Sequence, residues 1–288
     1  MKNTKTKIIA IITIILILIL IAISFYFFKR PKINFIDISS KIQKNTLQNI
    51  NMEYLYSENV GINIKELSIS DNTLNFIFSF KLENQKISSK PLHTNILIYD
   101  DSNNIYGELS QVPSNNKDLG ITKNLNSATT YSLISNSEND ATYQLLLYSP
   151  TQPFPHDKEL YIHINNLEFT DDNGNVTNFT PEWNFSINSA DIYVPSIQYK
   201  LKENVDGFDL HSMYVSNYLT TIVYEATNNN FNVNIVDNNG TLFKSFTSSN
   251  KSFRELSYEF NTSNITQPLY LRISDGSFSK DIELEEIK

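Results

Sequence analysis

The sequence predicts a mainly β protein in which one N-terminal transmembrane helix is followed by two antiparallel β-sandwich domains, the second of them immunoglobulin-like. Three observations lead to this prediction. An apolar run without any charge, residues 8–28, is long enough to cross a bilayer. After it, short segments of alternating apolar and polar residues continue to the C-terminus, separated by turn-forming Asp, Asn and Gly residues. This pattern restarts near residue 190, which divides the remainder into two domains.

The apolar run predicts a membrane anchor. As a helix with a rise of 1.5 Å per residue, it would span roughly 31 Å, about the thickness of the hydrocarbon core. The run ends in the aromatic residues 25–28, and the basic residues Lys29 and Arg30 follow it, as expected at a membrane interface. Basic residues flank both ends equally. The additional positive charge of the free N-terminal amine therefore favours the orientation in which residues 1–7 form a cytoplasmic tail.

The alternative to an anchor is a cleaved signal peptide, with residues 22–24 as the cleavage site. This site lies inside the apolar run, and the run is longer than the apolar region of a usual signal peptide. The sequence therefore favours a single-pass membrane protein that contacts the lipid bilayer through residues 8–28 and has its C-terminal domains outside the cytoplasm.

Charge and cysteine usage exclude several classes of function. Residues 1–32 hold six basic residues and no acid, whereas the rest of the chain holds 17 basic and 31 acidic residues. A nucleic-acid partner is not expected for so acidic a chain, because phosphate contacts need clusters of Lys and Arg. The chain has no cysteine, which excludes disulfides, thiolate metal sites and a cysteine nucleophile.

Residues 29–56 are predicted to form a juxtamembrane stalk, with a short helix as an alternative, and residues 57–190 to form the first β-sandwich. Its clearest strand is Leu74–Leu82, where every second residue is large and apolar. Further strands are predicted at 94–99, 142–148, 160–169 and 182–187. The last of these contains the only tryptophan, Trp183, which alternation places with Phe185 and Ile187 on one inward face.

The second β-sandwich is predicted over residues 191–288. Seven strand-like runs in about 98 residues match the size of an immunoglobulin-like domain. The cysteine pair and buried strand-C tryptophan of true immunoglobulin domains are absent, so the prediction concerns the architecture alone. The runs are 192–201, 211–224, 231–237, 241–247, 253–260, 268–273 and 277–287, with a hairpin turn at 237–240.

Acidic turns are the first candidates for a site. Residues Asp171–Asn175 could suggest a calcium loop, but an EF-hand needs alternating ligands and a final Glu between helices. A tight hairpin between strands explains Asp, Asn and Gly without a metal, so a turn is the favoured interpretation. The same interpretation applies to Asp100–Asp101 and Asp237–Asn238.

No residue is predicted to be catalytic, to bind a cofactor or to bind a metal. The four histidines are not spaced as a metal-binding pair, and no nucleophile elbow, phosphate loop or dinucleotide motif occurs. Trp183 could stack on a sugar, but its alternating apolar neighbours favour a core position. The chain is therefore expected not to be an enzyme. The histidines are His93, His156, His163 and His211, of which His163 is expected to be a structural residue on its strand.

The chain resembles a family of two-domain, β-rich bacterial ectodomains of unassigned function. They lie outside the membrane helix of anti-sigma-factor-like proteins of low-GC Gram-positive bacteria. Asn59–Phe76, Tyr161–Leu167 and the Trp183-x-Phe185-x-Ile187 strand carry the resemblance, and residues 191–288 resemble the immunoglobulin-like domain that often follows. The family offers no catalytic residues. Its cytoplasmic sigma-binding domain is missing here, since only seven residues precede the membrane helix.

These observations predict a membrane-anchored, extracytoplasmic and non-catalytic protein that binds or senses a partner, either a protein or a polymer of the bacterial cell envelope. Two other classes stay open. One is an envelope polysaccharide hydrolase, which would need two acids facing each other across a deep cleft. The other is a structural accessory subunit of a membrane complex, which would show an exposed apolar face.

Overall fold

The computed structural model describes residues 33–42, 49–83, 87, 92–113, 128–149, 153–216, 219–227, 231–250, 255–261, 265–274, 276 and 278–287. The chain divides into two compact units, Met1–Phe35 and Ile36–Lys288. The predicted transmembrane helix at 8–28 lies outside the described residues. Within the residues that are described, no helix is long and apolar enough to cross a membrane.

The described chain is mainly β, as predicted, and 3-10 turns at Ser39–Lys41 and Ser189–Asp191 supplement its strands. The strands are β1 (Ile36–Asp37), β2 (Leu55–Ser57), β3 (Val60–Ile69), β4 (Thr73–Leu82), β5 (His93–Asp100), β6 (Ile105–Ser110), β7 (Ala128–Asn136), β8 (Asp140–Tyr148), β9 (Glu159–Thr170), β10 (Val176–Asn188), β11 (Ile197–Leu201), β12 (Phe208–Val215), β13 (Leu219–Ala226), β14 (Asn232–Val236), β15 (Leu242–Phe243), β16 (Ser245–Asn250), β17 (Glu255–Asn261), β18 (Tyr270–Ser274) and β19 (Ser279–Glu286).

The first sandwich consists of two five-stranded sheets, which we call the Trp sheet (β1-β10-β9-β5-β6) and the Phe sheet (β2-β3-β4-β8-β7). Alternation explains why they pack together. In β4, the side chains of Phe76, Phe78 and Phe80 are fully buried between the sheets, while Ile77 and Ser79 lie on the other face of the Phe sheet. The inward residues of both sheets form one continuous apolar core.

Trp183 lies in this core, as the alternation predicts, together with Phe185 and Ile187. Its indole ring packs 5.9 Å from the ring of Phe80, measured between centroids. Its Nε1–H donates a hydrogen bond of 3.2 Å to the Leu55 carbonyl. Burying the indole therefore leaves no unsatisfied polar atom, and its role is to join the two sheets.

Residues 36–42 and 49–56 of the predicted stalk belong instead to the first sandwich. Strand β1 pairs in parallel with β10, and β2 pairs with β3. Ile38 and Ile50 are buried in the core, at 1% and 6% exposure. Periodicity in the sequence did not predict that these residues join the sandwich, because a two-residue strand and isolated buried isoleucines have no detectable period.

The second sandwich has the strand order of an immunoglobulin-like domain. One half contains β12-β13-β17-β16 and the other β19-β18-β14-β15, which correspond to strands A-B-E-D and G-F-C-C′. Strand β11 pairs with β12 through its first residues and with β19 through its last, and so joins the two edges. Inward residues from both halves, such as Ile222 and Ile273, share one core that is separate from the first.

Two predicted segments of this sandwich are each divided into two strands. The run 211–224 covers most of β12 and β13, which are separated by a turn in which the Ser216 N–H donates to the Leu219 carbonyl at 2.8 Å. The run 241–247 contains β15 and the start of β16. Both turns lack Gly and Pro, so the usual sequence signals for a turn are missing. The predicted domain boundary near residue 190 stays a prediction.

The two sandwiches touch through their turns. Thr73 Oγ1, at the start of β4, donates to Ser216 Oγ at 3.2 Å, and Asn72 Nδ2 donates to Thr221 Oγ1 at 3.5 Å. Thr73 and Ser216 are buried in this contact. The turn between β12 and β13 thus lies against the turn between β3 and β4.

The connection between the sandwiches is also tied to the first of them. The Ile69 N–H donates to the Ile192 carbonyl at 2.9 Å, and the Val194 N–H donates to the Ile69 carbonyl at 2.7 Å. The Tyr193 hydroxyl donates to the Asp71 carboxylate at 2.5 Å. Together with the turn contacts, this pairing makes Ile36–Lys288 one compact unit.

Candidate functional site

The three acidic turns share one geometry and close three hairpins: β5–β6, β9–β10 and β14–β15. In each, an Asp Oδ1 accepts the backbone N–H four residues later, and the residue before that donor has a positive φ. Asp shapes such turns by bonding its own backbone, and Gly or Asn tolerates the positive φ. The Asp residues are Asp100, Asp171 and Asp237, and the positive-φ residues are Asn103, Gly174 and Gly240.

The hairpin interpretation of these turns is therefore confirmed. At Asp171, the backbone and side-chain N–H groups of Asn175 occupy the two carboxylate oxygens at 2.8 and 2.9 Å. The hydrogen bonds from Asn175 lower the pKa of Asp171. Among the described residues, no three His, Asp or Glu side chains come together as a metal site.

Asp100 is the most heavily bonded of these acids. Its side chain is fully buried, and Lys158 Nζ lies 2.7 Å from Oδ2, which the Tyr106 hydroxyl also approaches at 3.0 Å. Burial by itself would raise the pKa of Asp100, but the hydrogen bonds from Lys158, Asn104 and Tyr106 outweigh it and lower the pKa to about 2. The carboxylate holds the β5–β6 turn against the segment before β9 and has a structural role.

His163 is buried on the Trp sheet and uses both ring nitrogens. Nδ1 lies 2.5 Å from Asn184 Oδ1, and Nε2 lies 2.9 Å from Asn165 Nδ2. These partners are consistent with Nδ1 as the donor and Nε2 as the acceptor. The two asparagines hold the ring in place within the Trp sheet.

A β-bulge places two opposite charges side by side on the outer face of the Phe sheet. In the pairing of β3 with β4, Ile64 is opposite Phe78 and Glu66 is opposite Ile77, so Lys65 is the extra residue. Bulges re-aim side chains in this way and occur often beside functional sites. A strict alternation, which the sequence suggests, would separate Lys65 and Glu66 onto opposite faces.

Both charged side chains join the polar groups of neighbouring strands. Lys65 Nζ donates to Thr142 Oγ1 at 2.9 Å. Asn75 Nδ2 donates to Glu66 Oε1 at 3.3 Å, and Gln144 Nε2 donates to Asn75 Oδ1 at 2.7 Å. Burial raises the pKa of Glu66 to about 7, although the hydrogen bond from Asn75 lowers it. This polar face therefore contains an acid that changes charge near neutral pH.

We expect the substitution Glu66→Gln to stabilise the protein at pH 8 and to have little effect at pH 4. Because the folded pKa is raised from its ordinary 4.5, ionisation of Glu66 costs stability as the pH rises from about 4.5 to about 7. Glutamine keeps the acceptor for Asn75 and removes the charge. The gain in the free energy of unfolding at pH 8 should be about 1–2 kcal/mol, since the group is partly exposed and screened.

Denaturant unfolding of residues 33–288 at both pH values measures this gain, with the exposed Glu182→Gln as control. An equal change in the free energy of unfolding at both pH values would contradict the raised pKa of Glu66.

A recess of about 410 Å³ lies at the edge of the first sandwich, between β1 and the segment before β2. Asp37 and Glu53 both line it, which is the feature that an envelope hydrolase would require. Both carboxylates are exposed, however, and Asp37 Oδ1 accepts the Ser39 N–H at 2.9 Å. The recess does not offer a sheltered pair of free acids.

A second recess, of about 340 Å³, lies at the end of the second sandwich that is opposite the joint with the first. The joint is formed by the turn after β12, and this recess lies at the opposite end of the same strand, before β12. Because β12 has eight residues and is roughly 25 Å long, it separates the two sites by about that distance. We call its lining the far loops: Asn204, Val205, Asp206, Phe231, Phe278 and Lys280. In an immunoglobulin-like sandwich these are the loops before strand A and between strands B–C and F–G, together with Lys280 near the start of strand G.

The far loops are anchored on the second core. Phe231 packs edge-on against Phe208 at 6.1 Å, and Phe208 stacks on the buried Tyr224 at 4.6 Å. Gly207 adopts a positive φ of 76°, and a Cβ there would lie 2.4 Å from Thr227 Oγ1. Only glycine therefore allows the chain to approach Thr227, directly after β13, with this backbone conformation.

Phe278 is the exposed apolar member of the far loops, with 40% of its surface accessible. The sequence did not identify this site, because its residues come from three separate connections that only the sandwich topology brings together. The available local signal was a phenylalanine placed directly after a glycine-containing turn, at 276–278, and that signal is weak.

No protein-family model matches the chain, and no curated protein sequence matches it. Among solved structures, the chain is similar to a conserved domain protein from Bacillus anthracis, with 11% identity over 83% of this chain and 89% of that chain, at a TM-score of 0.48. It is also similar to bovine butyrophilin, with 9% identity over 79% of this chain and 99% of that chain, at a TM-score of 0.22.

A third similar structure is the N-terminal Ig1-2 module of the Drosophila receptor protein tyrosine phosphatase DLAR, with 7% identity over 78% of this chain and 96% of that chain, at a TM-score of 0.18. The resemblance to the ectodomains of anti-sigma-factor-like proteins stays a prediction.

Proposed function

We propose that this chain is a membrane-anchored, extracytoplasmic protein of the bacterial cell envelope that binds or senses a partner without catalysing a reaction. The uncharged run at 8–28 and its basic flanks support the anchor. The acidic charge of the remaining chain supports a partner other than nucleic acid. The far loops are the proposed contact surface.

The recess at the far loops carries this proposal. Ligand pockets are concave, mostly apolar and fitted with a few polar groups, with volumes of about 300–1,000 Å³. The far loops combine Val205, Phe231 and Phe278 with polar and charged neighbours around a recess of about 340 Å³. Loops held on a rigid sandwich are a common place for binding residues.

The joint between the sandwiches supports the same function. A binding surface at the end of one domain is presented in a fixed direction only when that domain is tied to its neighbour. The contacts of Thr73 with Ser216 and of Ile69 with Val194 supply this connection. An accessory or enzymatic role draws no comparable support from the described residues.

Photo-crosslinking in intact cells tests the proposal. Phe278 of the full-length chain is replaced by benzoylphenylalanine, and Leu242 is replaced in a matched control, since both side chains are 40% exposed and both lie in the second sandwich. We expect light-dependent adducts at position 278 that exceed those at position 242 by about tenfold. Equal adduct yields at the two positions, or none at 278, would contradict binding through the far loops.

A further inference from the structure

We infer that residues 129–133 of β7, which we call the pairing edge, bind the same residues of a second copy of this chain as an added antiparallel strand of the Phe sheet. Strand addition at an exposed sheet edge is a common mode of recognition. The far loops take no part in this contact, since they belong to the second sandwich. Three features of β7 support it: its length, its lack of charge and the pattern of its side chains.

Strand β7 is the longest edge strand of the described chain. The two sheets of the first sandwich end in β1, β6, β2 and β7, and the sheet of the second sandwich ends in β15 and β16. Of these, β7 has nine residues and the others have two to six. Short edge strands are one way in which proteins prevent a further strand from pairing. Strand β7 lacks this protection, and within the described residues no strand pairs with its outer side.

The edge also lacks the residues that usually keep a second strand away. Ala128–Asn136 contains no charged residue and no proline, which are the common means of protecting an edge. The nearest acids of the hairpin, Glu138 and Asp140, lie at one end of β7. An antiparallel two-fold contact places these acids of the two copies at opposite ends of the paired strands. They are then more than roughly 30 Å apart, well beyond the Debye length of about 8 Å at physiological ionic strength.

The side chains of β7 are complementary to themselves. Tyr131 and Leu133 pack against the core of the first sandwich, so alternation places Thr130 and Ser132 on the outer face, where both are exposed. Residues opposite each other in an antiparallel pair share a face, and pairs of Thr with Thr or Ser stabilise it through hydrogen bonds. Pairing two copies sets hydroxyl against hydroxyl outside and apolar against apolar inside. This is the isologous contact that two-fold homodimers form.

A β-bulge marks the end of the pairing edge and adds an apolar group to it. Ile134 is the extra residue between Leu133 and Ser135 in the pairing of β7 with β8. Bulges limit pairing at sheet edges, so the contact is confined to residues 129–133. The Ile134 side chain is 51% exposed, and a neighbouring strand would cover part of this apolar surface.

Cysteines introduced into the full-length chain test this pairing, because the chain has no cysteine of its own. The variants are Thr130→Cys, Ser132→Cys and the double variant that carries both. A two-fold contact centred on residue 130, 131 or 132 places position 130 opposite itself, position 130 opposite position 132, or position 132 opposite itself. Each of these registers therefore brings together the cysteines of one variant. The matched control is Ser279→Cys, at an exposed position of the second sandwich.

Treatment of intact cells with a membrane-permeant oxidant, followed by non-reducing electrophoresis, measures disulfide-linked dimers. We expect at least one of the three variants to exceed Ser279→Cys by about tenfold, because opposite residues in a strand pair have Cβ atoms about 4.5–5.5 Å apart. Adding Ile134→Lys to that variant should lower the dimer yield about fivefold, since a lysine on an edge opposes pairing. Val176→Lys makes the same change at a side chain that is 53% exposed and should leave the yield unchanged.

Dimer yields no higher than that of Ser279→Cys in all three variants would overturn the inference. Disulfides to a different protein in place of dimers would overturn it as well, and so would an equal loss of dimer in Ile134→Lys and Val176→Lys. None of these results concerns the far loops, which the crosslinker at position 278 tests separately.

Discussion

Trp183→Ala is expected to destabilise the first sandwich by about 3–5 kcal/mol, the usual cost of truncating a buried aromatic residue to alanine. The indole is 4% exposed, packs on Phe80 and donates to the Leu55 carbonyl. Its removal leaves a cavity between the sheets and an unsatisfied carbonyl at the edge. Because a domain has about 5–15 kcal/mol of total stability, the loss should be a large part of it.

Hydrogen exchange on residues 33–288 measures this effect in each sandwich separately. Protection in β4 and β10 should fall by about two orders of magnitude or more, while β18 and β19 change little, since their core is separate. Tyr56→Ala, which removes an aromatic ring that is 48% exposed, is the matched control and should have a small effect. Unchanged protection in β10 would mean that Trp183 does not stabilise the core.

Asp100→Ala should cost about 1–3 kcal/mol, because it removes a buried carboxylate that accepts several hydrogen bonds, while the Lys158 side chain is 35% exposed and keeps part of its hydration. The Lys158 ammonium would lose its counter-ion, and the backbone N–H groups of Ser102 and Asn104 would lose the acceptor that shapes their turn. Asp101→Ala removes an exposed carboxylate from the same turn and is the matched control.

The pH dependence provides a second readout of the same ion pair. Because the folded pKa of Asp100 is lowered to about 2, its stabilisation is present above about pH 4 and is lost as the pH falls through 4 towards 2. Denaturant unfolding between pH 2 and pH 7 should show this loss in the parent chain and in Asp101→Ala. In Asp100→Ala, the free energy of unfolding should fall less steeply between pH 4 and pH 2. Identical pH profiles for both variants would contradict the buried ion pair.

Alternation in the sequence predicted most of the strands because it is the direct mark of a half-buried sheet. In β4 and β10, large residues at every second position face the core in the structure. The acidic turns could be predicted for a similar reason, since Asp followed by Asn or Gly shapes the backbone locally, as at Asp171–Asn175.

Long-range contacts explain what the sequence did not predict. Strand β1 pairs with residues about 150 positions further along the chain, and no local pattern indicates such a partner. The bulge at Lys65 reverses the alternation without any Gly or Pro to indicate it. The far loops depend on the order of strands in the second sandwich, and position 278 alone shows only a phenylalanine in a loop.

The central claim, a membrane anchor with the folded chain outside the cytoplasm, is tested most directly by adding protease to intact, wall-stripped cells that express the full-length chain. The account predicts that the protease digests the chain after about residue 33 while cytoplasmic control proteins stay intact. It also predicts that a short fragment containing residues 8–28 remains in the membrane. Full protection of the chain until the cells are lysed would contradict the account.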